Sequence, residues 1–376
     1  MNSSSLTSSL ARLTGLRELS LWGSLDSTCL AVVGQLAQLT RTSIETTSDC
    51  DLRLLPPQLQ HLNMQVGGKE DGGAVTVALG HLSALQDLSL ALHCSKAAAK
   101  SSLPTSITAL TLQHTAPDAA EDGVLQLDMP SLHNLQELVT HDCLHGSEQL
   151  LALAAPPALM YISLSHGSVE HAVSAAPAWP LLPALRALSL DDEDEPLPPE
   201  LSRPLLQHLA AATSLRQLRF FNSSTDESVP MCAYLTGLTQ LQHLEVTWQH
   251  PATRADALQL TLLSLLTALC IGGGEGADDT AVVALALRLR RLQQLQLTDC
   301  GFLTAAVLPA IATLARLTAL VLSFPRLWPV PEREEEPLGQ EDLQLLTPLR
   351  QLRKLNGEEF FSKQALQELW DAEQGR

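Results

Sequence analysis

Leucine recurs through this chain at a spacing that changes from three residues to two. In the stretch Leu289–Cys300, LRRLQQLQLTDC, leucines stand at positions 289, 292, 295 and 297. Steps of three suit a chain that turns a corner, whereas Leu295 and Leu297 flank one polar residue and therefore share one face of a strand. Cys300 follows three positions after the last leucine. The pattern predicts a turn that leads into one short strand.

The same string returns along nearly the whole chain. The residues predicted to begin the strands are Leu19, Thr42, Leu62, Leu88, Leu110, Leu138, Ile162, Leu188, Leu218, Leu244, Leu269, Leu295, Leu320 and Leu355. They mark about fourteen copies at a mean interval of about 26 residues, a period typical of solenoid proteins. Each turn has an apolar face that it cannot bury alone, and the next turn completes a shared core. We therefore predict an α/β solenoid, a horseshoe with a parallel concave sheet and irregular helices on its convex side.

The L-x-x-L-x-L-x-x-N/C order of these copies resembles the leucine-rich repeat family. Two copies place a cysteine at the last position, in Asp299-Cys300 and Asp142-Cys143, and are similar to the cysteine-containing, ribonuclease-inhibitor-like branch of that family. The resemblance covers almost the full chain. It implies a fold and implies no chemistry. It also implies that a cysteine at this position satisfies the backbone of its own turn.

Residues 1–376 are predicted to form a single leucine-rich-repeat domain. The two longest intervals between strands carry acidic runs, DDEDEPLPPE at 191–200 and PEREEEPLGQED at 331–342, and both runs are predicted to be loop insertions. Such runs are usually solvated, although they could also recruit a basic partner. Apolar residues near the C-terminus fall on one helical face, which predicts a capping helix over 358–376.

The segments that connect the strands divide into two kinds. Asp278–Leu292 and Leu303–Leu317 have apolar residues at helical spacing and are predicted to be helices. Leu55-Pro56-Pro57 and Leu103-Pro104 contain proline, which fixes the backbone and removes a hydrogen-bond donor, so these segments are predicted to be extended or turn-like.

Composition limits the partners and the compartment. A formal charge of −18, with only 23 lysines and arginines, makes DNA and RNA poor ligands because phosphates are bound by clustered basic residues. No apolar run reaches the roughly 18 residues of a membrane helix, and the start MNSSSLTSSLARL lacks the basic and apolar regions of a secretory signal. Seven cysteines, spread singly without C-x-x-C, suit a reducing compartment. We expect a cytoplasmic protein, with the cytoskeleton or ciliary axoneme as the alternative and the nucleus open.

The residues between the strand leucines define a candidate binding site. Because side chains alternate along a strand, these residues line the concave wall, and those at the middle position of each strand are mostly small and polar. Larger side chains gather in the middle repeats at His141, Tyr161, Arg219, Phe221, His243 and Glu245, with Trp248 just beyond its strand. Tyr, Trp and Arg often anchor protein interfaces. We predict that these seven residues bind a partner, and the alternative is that Phe221 and Trp248 pack against a neighbouring turn.

Three stretches have residue types used in catalysis. His141-Asp142-Cys143-Leu144-His145 holds metal-ligand types, but Cys143 occupies the position that satisfies the turn, so no metal site is predicted. Gly272–Gly276 follows a predicted strand as a phosphate loop would, yet it lacks the Gly-Lys-Ser/Thr ending and carries acid, which favours a simple repeat turn. Cys94 stands beside His93, but strand neighbours face opposite ways. We predict no catalytic residue, no cofactor and no metal.

These observations predict a non-catalytic scaffold that binds a protein partner, with a basic surface, on the concave face. One alternative is a substrate-recognition subunit of a ubiquitin-ligase complex, since some of those proteins are similar in their cysteine-containing repeats. Another is a regulator of a small GTPase or other enzyme, with an exposed arginine such as Arg219 or Arg41 placed against the partner's active site. The charge predicts no nucleic-acid partner, and no membrane contact is expected.

Overall fold

The computed structural model forms two compact units, Met1–Leu185 and Arg186–Arg376. The structure describes residues 3–47, 50–67, 77–93, 99–114, 125–141, 151–165, 173–191, 199–222, 230–248, 253–273, 277–298, 300, 303–323 and 340–356. Among these residues no helix is long and apolar enough to cross a membrane, and the longest has 13 residues.

The main sheet of the first unit contains seven parallel strands, and each pairs with the strand of the next turn. They are β1 Glu18–Leu25, β2 Arg41–Thr47, β3 His61–Gly67, β5 Asp87–His93, β7 Ala109–His114, β9 Glu137–His141 and β10 Tyr161–Ser165. A second parallel sheet, β4 Val77–Ala78, β6 Ala99–Ser102 and β8 Leu125–Gln126, lies in the limbs that return between main strands. Its helices with described bounds are α1 Ser3–Leu10 and α2 Ser27–Gly34, residues 151–152 and 173–175 are also helical, and 3-10 turns lie at Leu52–Leu54, Met129–Ser131 and Ala176–Leu181.

The second unit also has seven parallel main strands, and helices form its return limbs. The strands are β11 Ala187–Asp191, β12 Gln217–Asn222, β13 His243–Trp248, β14 Ala268–Gly272, β15 Gln294–Thr298, β16 Ala319–Ser323 and β17 Lys354–Asn356. The helices are α3 Pro199–Ala211, α4 Met231–Leu235, α5 Arg254–Gln259, α6 Asp279–Arg288, α7 Leu308–Ile311 and α8 Gln340–Gln344, with 3-10 turns at Leu260–Leu262 and Ala305–Val307.

All fourteen predicted copies therefore carry a main strand, and the predicted leucine-rich-repeat solenoid is confirmed. Strand leucines such as Leu88 and Leu295 are 0% and 3% exposed, because each turn closes the core of its neighbour. We call the opposite face of each main sheet, which carries the residues between the core leucines, its outer face.

The first strand departs from the predicted register. Ser20 pairs with Ser43, but Ser24 pairs with Glu45, so β1 advances four residues against two of β2 in a bulge that contains Gly23 at a φ of 106°. A positive φ of this kind is adopted readily by glycine. The bulge makes Leu25 a buried residue, whereas the predicted core residue Leu21 is only half-buried.

The two predicted helices differ in length from what the spacing suggests. The first was predicted over Asp278–Leu292, and its helix α6 covers Asp279–Arg288. Asp278 caps this helix by accepting a hydrogen bond from the Ala281 N–H at 2.9 Å. In the second, Leu303–Leu317, only a 3-10 turn and the four-residue α7 form. The prediction was too long because Leu314 and Leu317 already bond back three residues, as the repeat turn requires.

Several predicted features lie wholly or partly outside the described residues. β11 ends at Asp191 and α3 begins at Pro199, so most of the first acidic run falls between them in residues 192–198. The second run overlaps the start of α8, while 331–339 lie outside. The segment 358–376 is outside as well. The two loop insertions, the capping helix and the single-domain organisation stay predictions.

A backbone ladder joins successive turns of each unit. The carbonyl two residues before the first core residue of a main strand accepts hydrogen bonds from two consecutive N–H groups of the next turn. The Thr40 carbonyl accepts from Gln60 and His61 at 2.8 and 3.1 Å, and the Thr318 carbonyl accepts from Arg353 and Lys354 at the same distances. These bonds use backbone atoms alone and fix the relative height of neighbouring turns.

Candidate functional site

The middle residues of the main strands stack in the predicted order, and we call each stack a middle column. In the first unit the column is Ser20, Ser43, Asn63, Ser89, Thr111, Val139 and Ser163. In the second unit it is Ser189, Arg219, Glu245, Cys270, Gln296, Val321 and Asn356. The leucine spacing therefore predicted which side chains share the outer face.

The two predicted site residues of the first unit lie apart. His141 is the last residue of β9, and Tyr161 is the first residue of β10. Tyr161 pairs with Glu137, four residues before His141, so about 13 Å of strand separates the two positions. Both are half-buried. The structure does not bring these two residues into one site.

Three predicted residues of the second unit do come together. Arg219 and Glu245 face each other on β12 and β13, and the Arg219 Nε lies 3.5 Å from the Glu245 Oε1. Their side chains are 49% and 29% exposed. His243 lies two residues before Glu245, on the same face of β13, and is half-buried. These residues place both signs of charge on one accessible patch.

Cys270 joins this group, although sequence analysis did not include it among the site residues. It pairs with Glu245 from the neighbouring strand β14, so the middle column itself was the signal that could have identified it. Burial, together with the Glu245 carboxylate, raises the pKa of the Cys270 thiol to about 12, and the Arg219 guanidinium opposes that rise. At neutral pH the group is therefore a neutral thiol and a poor nucleophile. We call Arg219, His243, Glu245 and Cys270 the central cluster.

Phe221 and Trp248 are described through their backbone alone. Phe221 pairs with Thr247, and Trp248 pairs with Asn222. Trp248 is therefore the last residue of β13, which corrects the prediction that it lies just beyond the strand. Pairing with Asn222 extends the strand by this residue. The side chains of both aromatic residues lie outside the described part of the chain, so their contribution to binding stays a prediction.

Both arginines proposed as possible enzyme-regulating residues are ion-paired across strands. Arg219 bonds Glu245, and the Arg41 Nη1 lies 3.7 Å from the Glu18 Oε1. A carboxylate beside each guanidinium offsets the positive charge that an arginine would supply to a partner's transferring phosphoryl group. The geometry suits a mixed-charge contact surface better than a single catalytic cation.

The cysteine expected to satisfy a repeat turn does so at position 300. The Cys300 thiol donates to the Ile271 carbonyl of the preceding turn at 3.8 Å and to the Thr298 carbonyl at 3.6 Å. The related stretch 142–145 and Cys94 lie outside the described residues. Within the ranges that the structure describes, no three His, Cys, Asp or Glu side chains form a group able to hold a metal ion.

Gly272 has a packing role at the end of β14. A Cβ at this position would lie 3.0 Å from the Thr247 Oγ1 and 3.2 Å from the Thr298 Oγ1, because the side chains of both neighbouring strands close over it. Gly273 then has a φ of 71°, a turn conformation that favours glycine. Both observations agree with a repeat turn at this position, while 274–276 lie outside the described chain.

Comparison with known proteins gives structural matches alone. No family model and no curated protein matches the sequence. An internalin, InlF, from Listeria monocytogenes str. 4b F2365 is 14% identical with a TM-score of 0.50, over 94% of this chain and 93% of that chain. TLR13, in a complex with ssRNA13, is 18% identical with a TM-score of 0.57, over 83% of this chain and 43% of that chain. Likeness at this identity concerns architecture, and from it and the parallel strands we conclude that this chain has the leucine-rich-repeat fold.

Proposed function

We propose that the protein is a non-catalytic scaffold that binds another protein on the outer face of the second unit, at the central cluster. The observation that carries this proposal is the Arg219–Glu245 pair, which exposes a cation and an anion side by side. The rest of the column supplies small or uncharged side chains, which let a partner approach closely. Arginine is among the residue types that most often anchor protein interfaces.

Charge favours a partner with a basic surface. The chain carries a net charge of −18, so a basic protein is attracted before contact, and the mixed pair then gives the contact its orientation. A nucleic acid is itself negatively charged, so the net charge of this chain repels it. The RNA in the TLR13 complex is a ligand of TLR13 and has no bearing on this chain. For this chain, the absence of a nucleic-acid partner stays a prediction from charge.

The scaffold is preferred to an enzyme regulator because Arg219 and Arg41 are both paired with carboxylates. The proposal also has finer parts, which are the repeat branch, the kind of complex and the location. A place in the cysteine-containing, ribonuclease-inhibitor-like branch is supported by the Cys300 bonds. A role in a ubiquitin-ligase complex and a cytoplasmic, cytoskeletal or axonemal location stay predictions from the sequence.

Affinity capture from an extract of the source cells tests the proposal. The immobilised parent is compared with Arg219→Ala/Glu245→Ala and with the matched variant Glu18→Ala/Arg41→Ala, which removes an equivalent pair from the other unit's outer face. We expect a protein that the parent and the matched variant retain and that the first variant loses. For the isolated partner, the dissociation constant should rise by roughly thirtyfold in the first variant.

Retention of the same proteins by all three chains would place binding elsewhere. A photo-crosslinking amino acid, placed at one position at a time, distinguishes binding on the outer face of the second unit from binding on its return limbs. Gln296 is exposed on the outer face, whereas Leu262 is 57% exposed in a return limb. The partner should crosslink to position 296, and crosslinking at position 262 instead would contradict the proposal.

A further inference from the structure

Six cations lie along one edge of the last three turns. We call them the basic rim: Arg290, Arg291, Arg316, Arg350, Arg353 and Lys354. All six are exposed, and they stand where the return limbs turn into β15, β16 and β17. No acidic residue occurs in 280–298, 303–323 or 343–356. This is an unusual local balance in a chain with 41 acidic residues against 23 lysines and arginines.

The backbone ladder places these cations at neighbouring heights. The Gln293 carbonyl accepts from Thr318, and the Thr318 carbonyl accepts from Arg353. Arg291 and Arg316 each stand two residues before such a ladder residue, so they occupy the same position in neighbouring turns.

Arg290 reaches across the same edge. Its Nη1 donates to the Thr313 carbonyl of the next turn at 3.3 Å. This bond places the Arg290 guanidinium at the turn that also carries Arg316.

No described carboxylate pairs with these cations. The ion pairs between described residues involve Arg41, His61, Arg219 and Arg254, which all lie on other parts of the chain. Like charges that face each other on adjacent strands are unfavourable. The ladder bonds between these turns do not use the side chains of Arg291, Arg316, Arg350, Arg353 or Lys354, because backbone N–H and carbonyl groups form them. The arrangement is explained if it serves an anionic ligand.

We propose that the basic rim is a second binding surface, separate from the central cluster, and that its ligand is a carboxylate-rich segment of a partner protein. Five of the six cations are arginines, whose planar guanidinium binds a carboxylate through two parallel hydrogen bonds. The three turns span about 10 Å, which three to four residues of extended peptide also cover.

Electrostatic range favours such a short segment over nucleic acid. Charges more than roughly 8 Å apart are largely screened at physiological ionic strength. A short acidic segment over the basic rim therefore interacts mainly with these cations. A long RNA strand would extend beyond them, over the surface of a chain whose net charge is −18.

Fluorescence anisotropy with a labelled deca-glutamate peptide tests this inference on the full chain. The test variant is Arg291→Gln/Arg316→Gln. The matched control is Arg186→Gln/Arg216→Gln, which removes two exposed arginines from the corresponding edge of earlier turns in the same unit. The test variant should bind the peptide about tenfold more weakly, as expected for the loss of two exposed ion pairs, and the control should change by less than about twofold. Binding by the parent should weaken as salt is added.

Further arms identify the ligand class and guard against misfolding. A second pair, Arg350→Gln/Arg353→Gln, should weaken binding comparably, and thermal melts should match the parent. Equal losses in the test and control variants would overturn the proposal. So would binding of a 12-nucleotide RNA or of phosphatidylserine vesicles through Arg291 and Arg316 without binding of the peptide. The Arg219→Ala/Glu245→Ala chain should bind deca-glutamate like the parent, which separates this surface from the proposed scaffold site.

Discussion

The two units bury the same kind of leucine core, but they join their return limbs in different ways. In the first unit three limbs, those that contain β4, β6 and β8, pair as strands. Val77 and Ala78 pair with Ser101 and Ser102, and the Leu79 N–H donates to the Ser102 carbonyl at 2.8 Å. The bonds belong to the backbone, so they do not depend on which side chains the limbs carry.

In the second unit, carboxylates join one helix to the next. Asp256 of α5 accepts from the Ala233 N–H of α4 at 3.2 Å, and Asp278 binds the guanidinium of Arg254. Asp279 of α6 accepts from the N–H and hydroxyl of Thr304 at 2.8 and 2.6 Å. Coupling between helical limbs thus rests on single side chains. The return limbs of the second unit should therefore respond to individual substitutions and to pH more than those of the first.

The largest expected effect comes from substitutions in the leucine core, which both units have. Leu295→Asp and Leu88→Asp each bury a carboxylate in a leucine core where the parent residue is 3% or 0% exposed. Each should reduce the free energy of unfolding by about 4 kcal/mol or more, as measured by urea denaturation. Gln296→Asp, on the exposed outer face, should change it by less than about 0.5 kcal/mol. A core substitution that matched this control would show that the assigned register is wrong.

Loss of an N-terminal aspartate should cost more stability in a helical limb of the second unit than in a 3-10 limb of the first. Asp278→Ala removes the N-cap of α6 and the bond to Arg254, and should cost about 1–2 kcal/mol in thermal or urea unfolding. Asp128 occupies the N-cap position of a 3-10 turn in the first unit without a side-chain capping bond, so Asp128→Ala should cost less than about 0.5 kcal/mol. Equal losses would refute the idea that Asp278 stabilises its limb through side-chain bonds that Asp128 lacks.

Two aspartates should respond to pH in opposite directions. Burial raises the pKa of the Asp256 carboxyl above 3.8, and the N–H groups of Cys232 and Ala233 partly oppose that rise. The folded state therefore holds the proton more tightly than the unfolded chain, so the stability contribution of Asp256 increases as the pH falls through the raised pKa toward 3.8.

Asp26 of the first unit shows the reverse. The Cys29 N–H donates to its carboxylate and lowers its pKa, so its stabilising contribution is present above 3.8 and is lost as the pH falls through the lowered value. Urea denaturation from about pH 3 to pH 7 compares the parent with Asp256→Asn and Asp26→Asn. On acidification the parent should gain stability relative to the first variant and lose it relative to the second. A common sign would contradict the assignment.

The smallest expected effect concerns the paired charges on the outer faces. Double-mutant cycles for Arg219–Glu245 and for Arg41–Glu18 should each give a coupling energy of about 0.5 kcal/mol or less, because these side chains are largely solvated. A coupling above about 1 kcal/mol for the first pair alone would assign Arg219 and Glu245 a structural role that competes with the proposed binding role.

The leucine spacing predicted the core and the stacking of the middle columns, because alternation along a strand leaves one solution for residues such as Ser89 or Gln296. It did not predict the short strands of the first unit's return limbs. A two-residue strand such as β4 exists through pairing with a neighbouring turn, and local pattern does not encode that pairing.

The central cluster was predicted in part, since Arg219, His243 and Glu245 were large residues in a small-residue column. Cys270 was overlooked because a cysteine does not stand out beside Ser or Thr, although its position was known. The basic rim was missed for another reason. Arg290, Arg316 and Arg350 are far apart in sequence, and only alignment by the repeat period brings them together.

The shared carbonyl of the backbone ladder has a consequence for protein design. Threonine, glutamine and arginine all occupy this position, at Thr318, Gln293 and Arg216, because the carbonyl alone forms the two hydrogen bonds. The side chain at this edge can therefore vary while both backbone bonds are kept, although a threonine such as Thr318 adds a further bond, from its hydroxyl to the Gln293 carbonyl at 2.9 Å. Substitutions could make this edge acidic, neutral or basic in each turn separately, while the backbone hydrogen bonds between turns stay the same.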